Sequence, residues 1–398
     1  MTSFLKKLWK DSDMDFELSE EHRMIQSLAR DFVNEQLKPL ERDLLGRSAD
    51  MSDARADISD EHQAALMKTV MDMGLWNAGV PEEFGGAGLD TVGNCLVEEE
   101  LARTVVPFSF GDVTPVLYEC SEYQREKYLA PALRNEKRPY LGLFENEADM
   151  DLKNGMMQAE PDGEDYLLNG RKLSLSRRAK DYFAVVFART SGGMTCFLVD
   201  RDTPGFAVNA PPPENGWKAQ KNEPAVMLFD NCRVRAENIL GEVDRALRLG
   251  KHWLQRRRII RSARALGVGR RLLEEASSQA QSQTAFGKLA QQRASVQAAI
   301  ADIAVQLHST ALTVYESAWK ADLGRPIAQA ASVARLATNN MLHSVADSLA
   351  HIVNGPGFFK GQPMERLCRR ILQQHAHSLF IDRQRFIIAG DVLKGITI

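Results

Sequence analysis

Apolar residues recur with the period of a helix at both ends of the chain and with the period of a strand in between. Ser19 is a suitable N-cap, and the apolar positions after it have helical spacing: Ile25, Leu28, Ala29, Phe32 and Val33. The same spacing returns after Glu242, and glycine and proline at 287, 324–326 and 355–357 divide this region into about four long helices.

The middle of the chain, from about Leu141 to Gly241, has short apolar runs separated by turn sequences. The turns are Pro161-Asp162-Gly163 and Ser191-Gly192-Gly193, and no helical stretch lies between them. This regular spacing predicts an antiparallel barrel or sandwich rather than a parallel nucleotide-binding sheet. The predicted strands include Tyr166–Leu168, Tyr182–Phe187 and Cys196–Val199.

These patterns predict an α+β protein with an N-terminal α-helical domain, a middle antiparallel β-barrel or sandwich domain and a C-terminal four-helix bundle. We place an N-terminal extension at 1–15, the helical domain at 16–140, the β domain at 141–241 and the bundle at 242–398. A length of 398 residues is consistent with more than one core. The one glycine pair resembling a Rossmann motif, Gly267-Val268-Gly269, lies inside a helical run, so a dinucleotide site of that type is not expected.

Charge and cysteine content narrow the class of protein. A formal net charge of -3, with the basic residues spread along the chain, argues against nucleic-acid binding. The five cysteines are far apart and lack a C-x-x-C pair, which indicates reduced thiols and argues against a zinc cluster. Since neither a membrane span nor a secretory signal is evident, we expect a cytoplasmic location.

The first ten residues alternate apolar and basic side chains, with Phe4, Leu5, Leu8 and Trp9 among Lys6, Lys7 and Lys10. A short basic amphipathic helix of this kind can make a peripheral membrane contact. A terminal helix that frays or docks on a neighbouring subunit is the favoured interpretation for so short a stretch.

Six short segments, in the right order, resemble the acyl-CoA dehydrogenase superfamily along nearly the whole chain. The most distinctive is the loop at 81–90, Pro-Glu-Glu-Phe-Gly-Gly-Ala-Gly-Leu-Asp. The other segments are Glu98–Arg103, Asn169–Lys172, Glu237–Gly241, Phe286–Lys288 and Asn354–Phe358. The resemblance implies FAD as cofactor, an acyl-CoA substrate, an electron-transfer acceptor, and a homo-oligomer or a hetero-oligomer with a homologous subunit.

The chain departs from this family at the catalytic base. The position of the usual glutamate falls on Ser378, and the alternative position on the first bundle helix falls on Arg257. A serine hydroxyl cannot act as this base unaided. His377, with His375 nearby, can replace the glutamate, although a hydrogen-bonded or solvated histidine explains either residue equally well.

The resemblance also assigns cofactor and substrate contacts. Gln283 stands where the family has an arginine that reaches the cofactor pyrophosphate, so a charge-assisted contact is lost. Glu145 and Asp149 are either relocated carboxylates near the flavin or, as we favour, exposed loop acids. The cofactor-binding candidates are Phe144, Asn146, Ser174, Ser176, Gln283, Phe286, Gly287, His351 and Gly355, and the substrate-binding candidates are Arg258, at the CoA phosphate end, and Met150.

Three functions remain open at this point. The leading one is FAD-dependent α,β-dehydrogenation of a CoA thioester with a substituted or partner-supplied base. The second is a non-catalytic partner subunit of a heteromeric acyl-CoA dehydrogenase. The third is flavin monooxygenation or other altered chemistry on the same fold.

Overall fold

The computed structural model describes residues 17–47, 58–111, 113–145, 155–174, 181–209, 225–285, 288–352, 362–375 and 378–396. Its N-terminal part is helical, as predicted, and Ser19 is the N-cap of the first helix because its Oγ accepts a hydrogen bond from the His22 N–H at 3.1 Å. The helices are α1 (Glu20–Phe32), α2 (Lys38–Arg47), α3 (Asp60–Asp72), α4 (Thr91–Leu101), α5 (Glu122–Gln124) and α6 (Ala130–Leu133).

Two π-helical turns interrupt these helices, and neither was predicted. Val33–Leu37 joins α1 to α2, and Arg125–Leu129 joins α5 to α6. Two 3-10 helices, Glu82–Phe84 and Pro115–Glu119, lie in the connections before and after α4.

Eight strands of the described residues form one sheet, in the order β6-β7-β3-β2-β4-β5-β8 with β1 paired to β4. Most pairs are antiparallel, as predicted, but β1 runs parallel to β4, and β2 meets β4 in parallel at Gln158 and Arg189. The sheet is therefore mixed. The strands are β1 (Arg138–Gly142), β2 (Gln158–Asp162), β3 (Asp165–Ser174), β4 (Tyr182–Arg189), β5 (Met194–Asp200), β6 (Phe206–Asn209), β7 (Ala225–Val234) and β8 (Ile239–Leu240).

The C-terminal part consists of long helices, as predicted. They are α7 (Lys251–Ser282), α8 (Ala294–Asp322), α9 (Ala328–Ile352), α10 (Pro363–His375) and α11 (Ser378–Leu393). A small hairpin of β9 (Thr284–Ala285) and β10 (Lys288–Leu289) lies between α7 and α8.

Strand β4 explains how the sheet joins two cores. It is buried on both faces, and its side chains alternate between them because successive residues of a strand point to opposite sides. Phe183, Val185 and Phe187 pack toward the N-terminal helical part, whereas Ala184 and Val186 pack toward β1, β6 and β7. A third apolar core runs from α1–α4 through α7–α10, so the two helical parts share one interior.

Candidate functional site

The three parts of the chain meet at one apolar cluster. It contains Val113 and Leu117 from the segment after α4, Val185 and Leu198 from the sheet, and Leu249 just before α7. Leu143, which follows β1, and Trp253, in the first turn of α7, pack against its edge. A ligand bound at this junction is in reach of residues from all three parts of the chain, so we take it as the candidate site.

Three aromatic rings line one side of the junction. Phe84 stacks on Tyr118 with ring centroids 4.8 Å apart, and Tyr118 meets Trp253 edge to face at 5.4 Å. The guanidinium of Arg125 lies 4.8 Å from the Phe84 ring centroid. These contacts fix the loop at 81–90, which carries the most distinctive sequence motif, against the start of α7.

Arg256 also supports the start of α7. Its guanidinium lies 5.4 Å from the Trp253 ring centroid, donates to the Ala321 carbonyl at 3.1 Å and lies 3.7 Å from Asp322. Asp322 in turn accepts hydrogen bonds from the N–H groups of Thr91 at 2.8 Å and Val92 at 3.0 Å. The C-terminus of α8 therefore caps α4 and holds α7.

Arg258, a predicted substrate contact, lies half-buried two residues further along α7. Burial lowers the pKa of its guanidinium, and the neighbouring charge of Arg383 on α11 lowers this pKa further. Among the described residues it has no carboxylate partner. A positive group in this setting favours an anionic ligand.

Glu145, in contrast to Arg258, has an oppositely charged partner. It is therefore not the exposed loop acid that we expected. Its Oε1 accepts hydrogen bonds from the Met157 N–H at 2.8 Å and from Lys172 Nζ at 2.9 Å. Its Oε2 accepts one from the Met156 N–H at 2.7 Å. Lys172 is 1 % exposed, so this is a buried ion pair that the sequence reasoning missed.

The segment Glu98–Arg103 fastens α4 to neighbouring helices. Glu98 pairs with Arg264 of α7 at 2.8 Å, and Glu99 pairs with Arg270 and accepts a hydrogen bond from Tyr315 at 2.8 Å. Glu100 pairs with Arg30 of α1 at 2.8 Å. We infer that this motif serves helix packing.

The structure describes some of the remaining predicted site residues in full, some by their backbone only, and others not at all. Phe144 is half-buried and forms an antiparallel bridge with Leu173, and Gln283 Nε2 donates to Gln279 Oε1 at 3.1 Å. Ser174, His351 and Ser378 have a described backbone only, in β3, in α9 and at the start of α11. Outside the described residues lie Asn146, Asp149, Met150, Ser176, Phe286, Gly287, Gly355 and His377.

The described part of the chain has neither a metal-ligand cluster nor a membrane-spanning helix. No group of three or more histidine, cysteine, aspartate or glutamate residues there is arranged to hold a metal ion. Nor is any helix there both long and apolar enough to span a membrane. All five cysteines have free thiols.

Comparison with known proteins gives the family. Residues 19–136, 141–232 and 247–375 match the N-terminal, middle and C-terminal domain models of acyl-CoA dehydrogenases. The (R)-benzylsuccinyl-CoA dehydrogenase of Thauera aromatica is 32% identical over 376 residues, covering 90% of this chain and 92% of the relative. The chain belongs to the acyl-CoA dehydrogenase family.

Two further similarities extend over nearly the whole chain. The 3-(aryl)acrylate reductase of Clostridium sporogenes is 28% identical over 389 residues, which is 94% of this chain and 99% of the relative. A chain in the structure described as the electron transferring flavoprotein of Acidaminococcus fermentans is 25% identical, with a TM-score of 0.77, covering 96% of this chain and 100% of that one. The α+β architecture predicted from the sequence is therefore confirmed.

FAD is the cofactor of the acyl-CoA dehydrogenase family, and the described residues fit it with neutral contacts. Thr114 Oγ1 is buried without a hydrogen-bond partner among the described residues, so a ligand at the junction can satisfy it. Phe144 and Leu173 remain half-buried and leave apolar surface for a planar ring. Toward the phosphates, the Gln283 amide can donate a hydrogen bond but supplies no charge.

Proposed function

We propose that this chain oxidises a CoA thioester by α,β-dehydrogenation with bound FAD, and that a residue other than glutamate is the base. The observation that supports this most is the match to all three family domains in order along the chain. We propose that substrate and cofactor bind at the junction that joins the loop at 81–90, the ends of β1 and β3, and the start of α7.

The reaction removes a proton from the α-carbon and a hydride from the β-carbon and leaves a carbon–carbon double bond. Bound FAD supplies the hydride acceptor. The chain has to hold the thioester so that its α-proton faces a base and its β-hydrogen faces the flavin ring. Phe144, Ser174 and Gln283 are the described residues that we propose hold the cofactor.

We propose His377 as the base, because it adjoins Ser378 at the position of the family glutamate. Imidazole accepts protons near neutral pH, whereas a serine hydroxyl does not. His252 is the described alternative, five residues before Arg257 on α7. Burial and the charge of Arg256 lower the pKa of His252, which favours the neutral form that can accept a proton.

We propose that Arg258, with Arg383 beside it, binds an anionic phosphate of CoA. The support is the half-buried guanidinium without a carboxylate partner among the described residues. Arginine matches phosphate oxygens in geometry and charge.

For the acyl group, we propose an aryl-substituted thioester. Trp253 and Phe84 are partly buried aromatic side chains at the edge of the junction. Benzyl and aryl groups also occur in the names of the two relatives described above.

The expected electron acceptor is an electron-transferring flavoprotein, and the expected location remains cytoplasmic.

The test is substrate-dependent loss of visible flavin absorbance. FAD-loaded protein is mixed without oxygen with a panel of linear, branched and aryl acyl-CoAs, and we expect bleaching that is fastest with an aryl thioester. His377→Asn should slow bleaching by about 100-fold or more, as loss of a general base does. His252→Asn and Ser378→Ala are the matched controls and should bleach at close to the wild-type rate.

Each of two outcomes would overturn one part of this proposal. No bleaching by FAD-loaded wild type with any thioester rules out dehydrogenation by this chain alone. If His252→Asn bleaches slowly and His377→Asn bleaches at the wild-type rate, the base is His252 on α7 and not His377.

A non-catalytic partner subunit is the second candidate. The combination of Ser378, Arg257 and Gln283 at three positions where the family keeps functional residues favours it. If it is correct, the chain alone does not bleach, whereas a co-purified assembly with a homologue that has the glutamate does. Bleaching by the isolated chain eliminates this candidate.

A further inference from the structure

Lys172 is unusual among the lysines that the structure describes because its side chain is almost completely buried. It is 1 % exposed, in β3, whereas lysine is normally among the most exposed residue types. Its Nζ donates to Glu145 Oε1 at 2.9 Å and lies 3.4 Å from the Leu143 carbonyl. A buried ion pair of this kind needs an explanation, since an apolar pair of similar volume would be about as stable.

Glu145 is the centre of this arrangement. Its two oxygens together accept hydrogen bonds from Lys172 and from the N–H groups of Met156 and Met157. The carboxylate thus joins the end of β1, the segment just before β2 and the end of β3. These contacts are directional, which apolar packing in the same place would not be.

The surroundings are built closely around the pair. A Cβ at Gly155 would lie 3.0 Å from Glu145 Oε1, and a Cβ at Gly142 would lie 3.1 Å from the Lys172 Cβ. Both glycines therefore allow the backbone to approach the pair. Beside it, the Leu173 N–H donates to the Phe144 carbonyl at 2.7 Å.

Burial disfavours the charged forms of both partners, but the surrounding hydrogen bonds compensate for it fully only at Glu145. Burial lowers the pKa of Lys172, and Glu145 offsets only part of this effect. Burial also raises the pKa of Glu145, but the hydrogen bonds from Met157, Lys172 and Met156 outweigh it and leave that pKa below its ordinary value of 4.5. The carboxylate is well satisfied, while the ammonium carries the net cost of burial.

The pair borders two proposed flavin contacts in sequence: Phe144 precedes Glu145, and Ser174 is two residues after Lys172. We infer that Glu145 and Lys172 are positioning residues for FAD, which hold the ends of β1 and β3 in the arrangement that binds the flavin. This inference rests on the proposed function, since it requires the chain to bind FAD.

The experiment measures FAD affinity of folded protein by flavin fluorescence titration, together with the thermal unfolding midpoint. Glu145→Gln leaves one of the two backbone N–H groups facing an amide donor, and Lys172→Met removes the ammonium. Each should raise the Kd for FAD at least tenfold, equivalent to about 1.4 kcal/mol. Glu145→Asp keeps the charge but shortens the side chain, so it gives a milder variant with the same direction of change.

Glu41→Gln is the matched control. Glu41 is also a buried carboxylate: it pairs with Arg271 at 2.9 Å and accepts hydrogen bonds from Thr104 and the Val105 N–H. It differs from Glu145 in its place in the fold, because it belongs to α2 and faces α7. The Glu41→Gln variant should have a lower thermal unfolding midpoint than wild type and a Kd for FAD within twofold of the wild-type value.

A measurement on wild type needs no substitution. Because the pKa of Glu145 is lowered, its contribution is complete above the ordinary carboxyl pKa and is lost as the pH falls through the lowered value. FAD affinity of the folded wild type should fall in that acid range more steeply than that of Glu145→Gln.

If all Glu145 and Lys172 variants bind FAD as tightly as wild type, or if Glu41→Gln weakens binding equally, the positioning role is wrong and the pair only stabilises the fold. Variants that fail to fold leave the wild-type titration to decide, and a flat pH profile then overturns the inference. A wild type that binds no FAD at any pH contradicts the proposed function itself.

Discussion

Gly267 lies where α7 crosses α4, and its lack of a side chain allows the crossing. A Cβ added there would overlap the Glu99 carbonyl and come within 2.9 Å of the Ala102 Cβ. The glycine that resembled half of a nucleotide-binding motif in the sequence is therefore a helix-packing residue.

Gly267→Ala should lower the free energy of unfolding by about 1–3 kcal/mol, because overpacking a close helix contact forces the backbones apart. Gly390→Ala is the control, since nothing lies within 4 Å of its added Cβ in α11. It should raise stability by about 0.5–1 kcal/mol through helix propensity. Urea unfolding followed by circular dichroism measures both, and equal effects of the two variants would contradict the packing role.

At the residue scale, the sequence predicted local features well and pairs across strands poorly. Ser19 was predicted as an N-cap because the hydroxyl and the helix that it caps are neighbours in the chain. Glu145 and Lys172 are 27 residues apart, and only the pairing of the strand ends brings them together. The proximity of Arg258 to Arg383 likewise depends on how helices pack.

At the element scale, α4 depends on a residue from a distant helix. Its own N-cap, Asp90, accepts a hydrogen bond from the Gly93 N–H at 2.7 Å. Asp322, at the end of α8, accepts hydrogen bonds from two more N–H groups of the first turn, those of Thr91 and Val92. Four N–H groups at a helix start lack partners within the helix, so Asp322 fills a real need.

Asp322→Ala should destabilise the protein by about 1–3 kcal/mol, because it leaves two backbone N–H groups unsatisfied and removes a charge near Arg256. Asp302→Ala is the matched control, since Asp302 is exposed on the same helix. It should change the stability by less than about 0.5 kcal/mol. Thermal unfolding measures both variants, and a normal midpoint for Asp322→Ala would show that water replaces the carboxylate without cost.

Element types were predictable because periodicity reports which face of each segment is buried. The alternation along β4 is an example, since both of its faces pack in different cores. The parallel pairing of β1 with β4 was not predictable, because no local pattern states which strands become neighbours.

At the scale of the whole molecule, the C-terminal helices present apolar side chains to solvent. On α11, Phe386 is 77% exposed and Leu393 is 86% exposed, and on α8, Val305 is 67% exposed. Phe386 and Leu393 are seven residues apart and therefore lie on one face of α11. Apolar groups gathered in this way mark an interaction surface more often than an isolated exposed leucine does.

We therefore expect the wild-type chain to assemble with further copies through these helices. Light scattering coupled to size-exclusion chromatography should give a mass of at least two chains of 44.5 kDa each. Phe386→Asp and Val305→Asp should reduce this mass, because a buried unpaired carboxylate at a subunit contact is costly. Met24→Asp, at a position 58% exposed on α1, is the control and should leave the mass unchanged.

The result bears on both candidate functions. A stable assembly of identical chains that loads FAD agrees with an enzyme complete in one gene product. A wild-type monomer that gains mass only with a homologous chain would instead favour the non-catalytic subunit, because the exposed faces of α8 and α11 would then be reserved for a different partner. Equal masses for wild type and both aspartate variants would show that these apolar side chains lie outside any subunit contact.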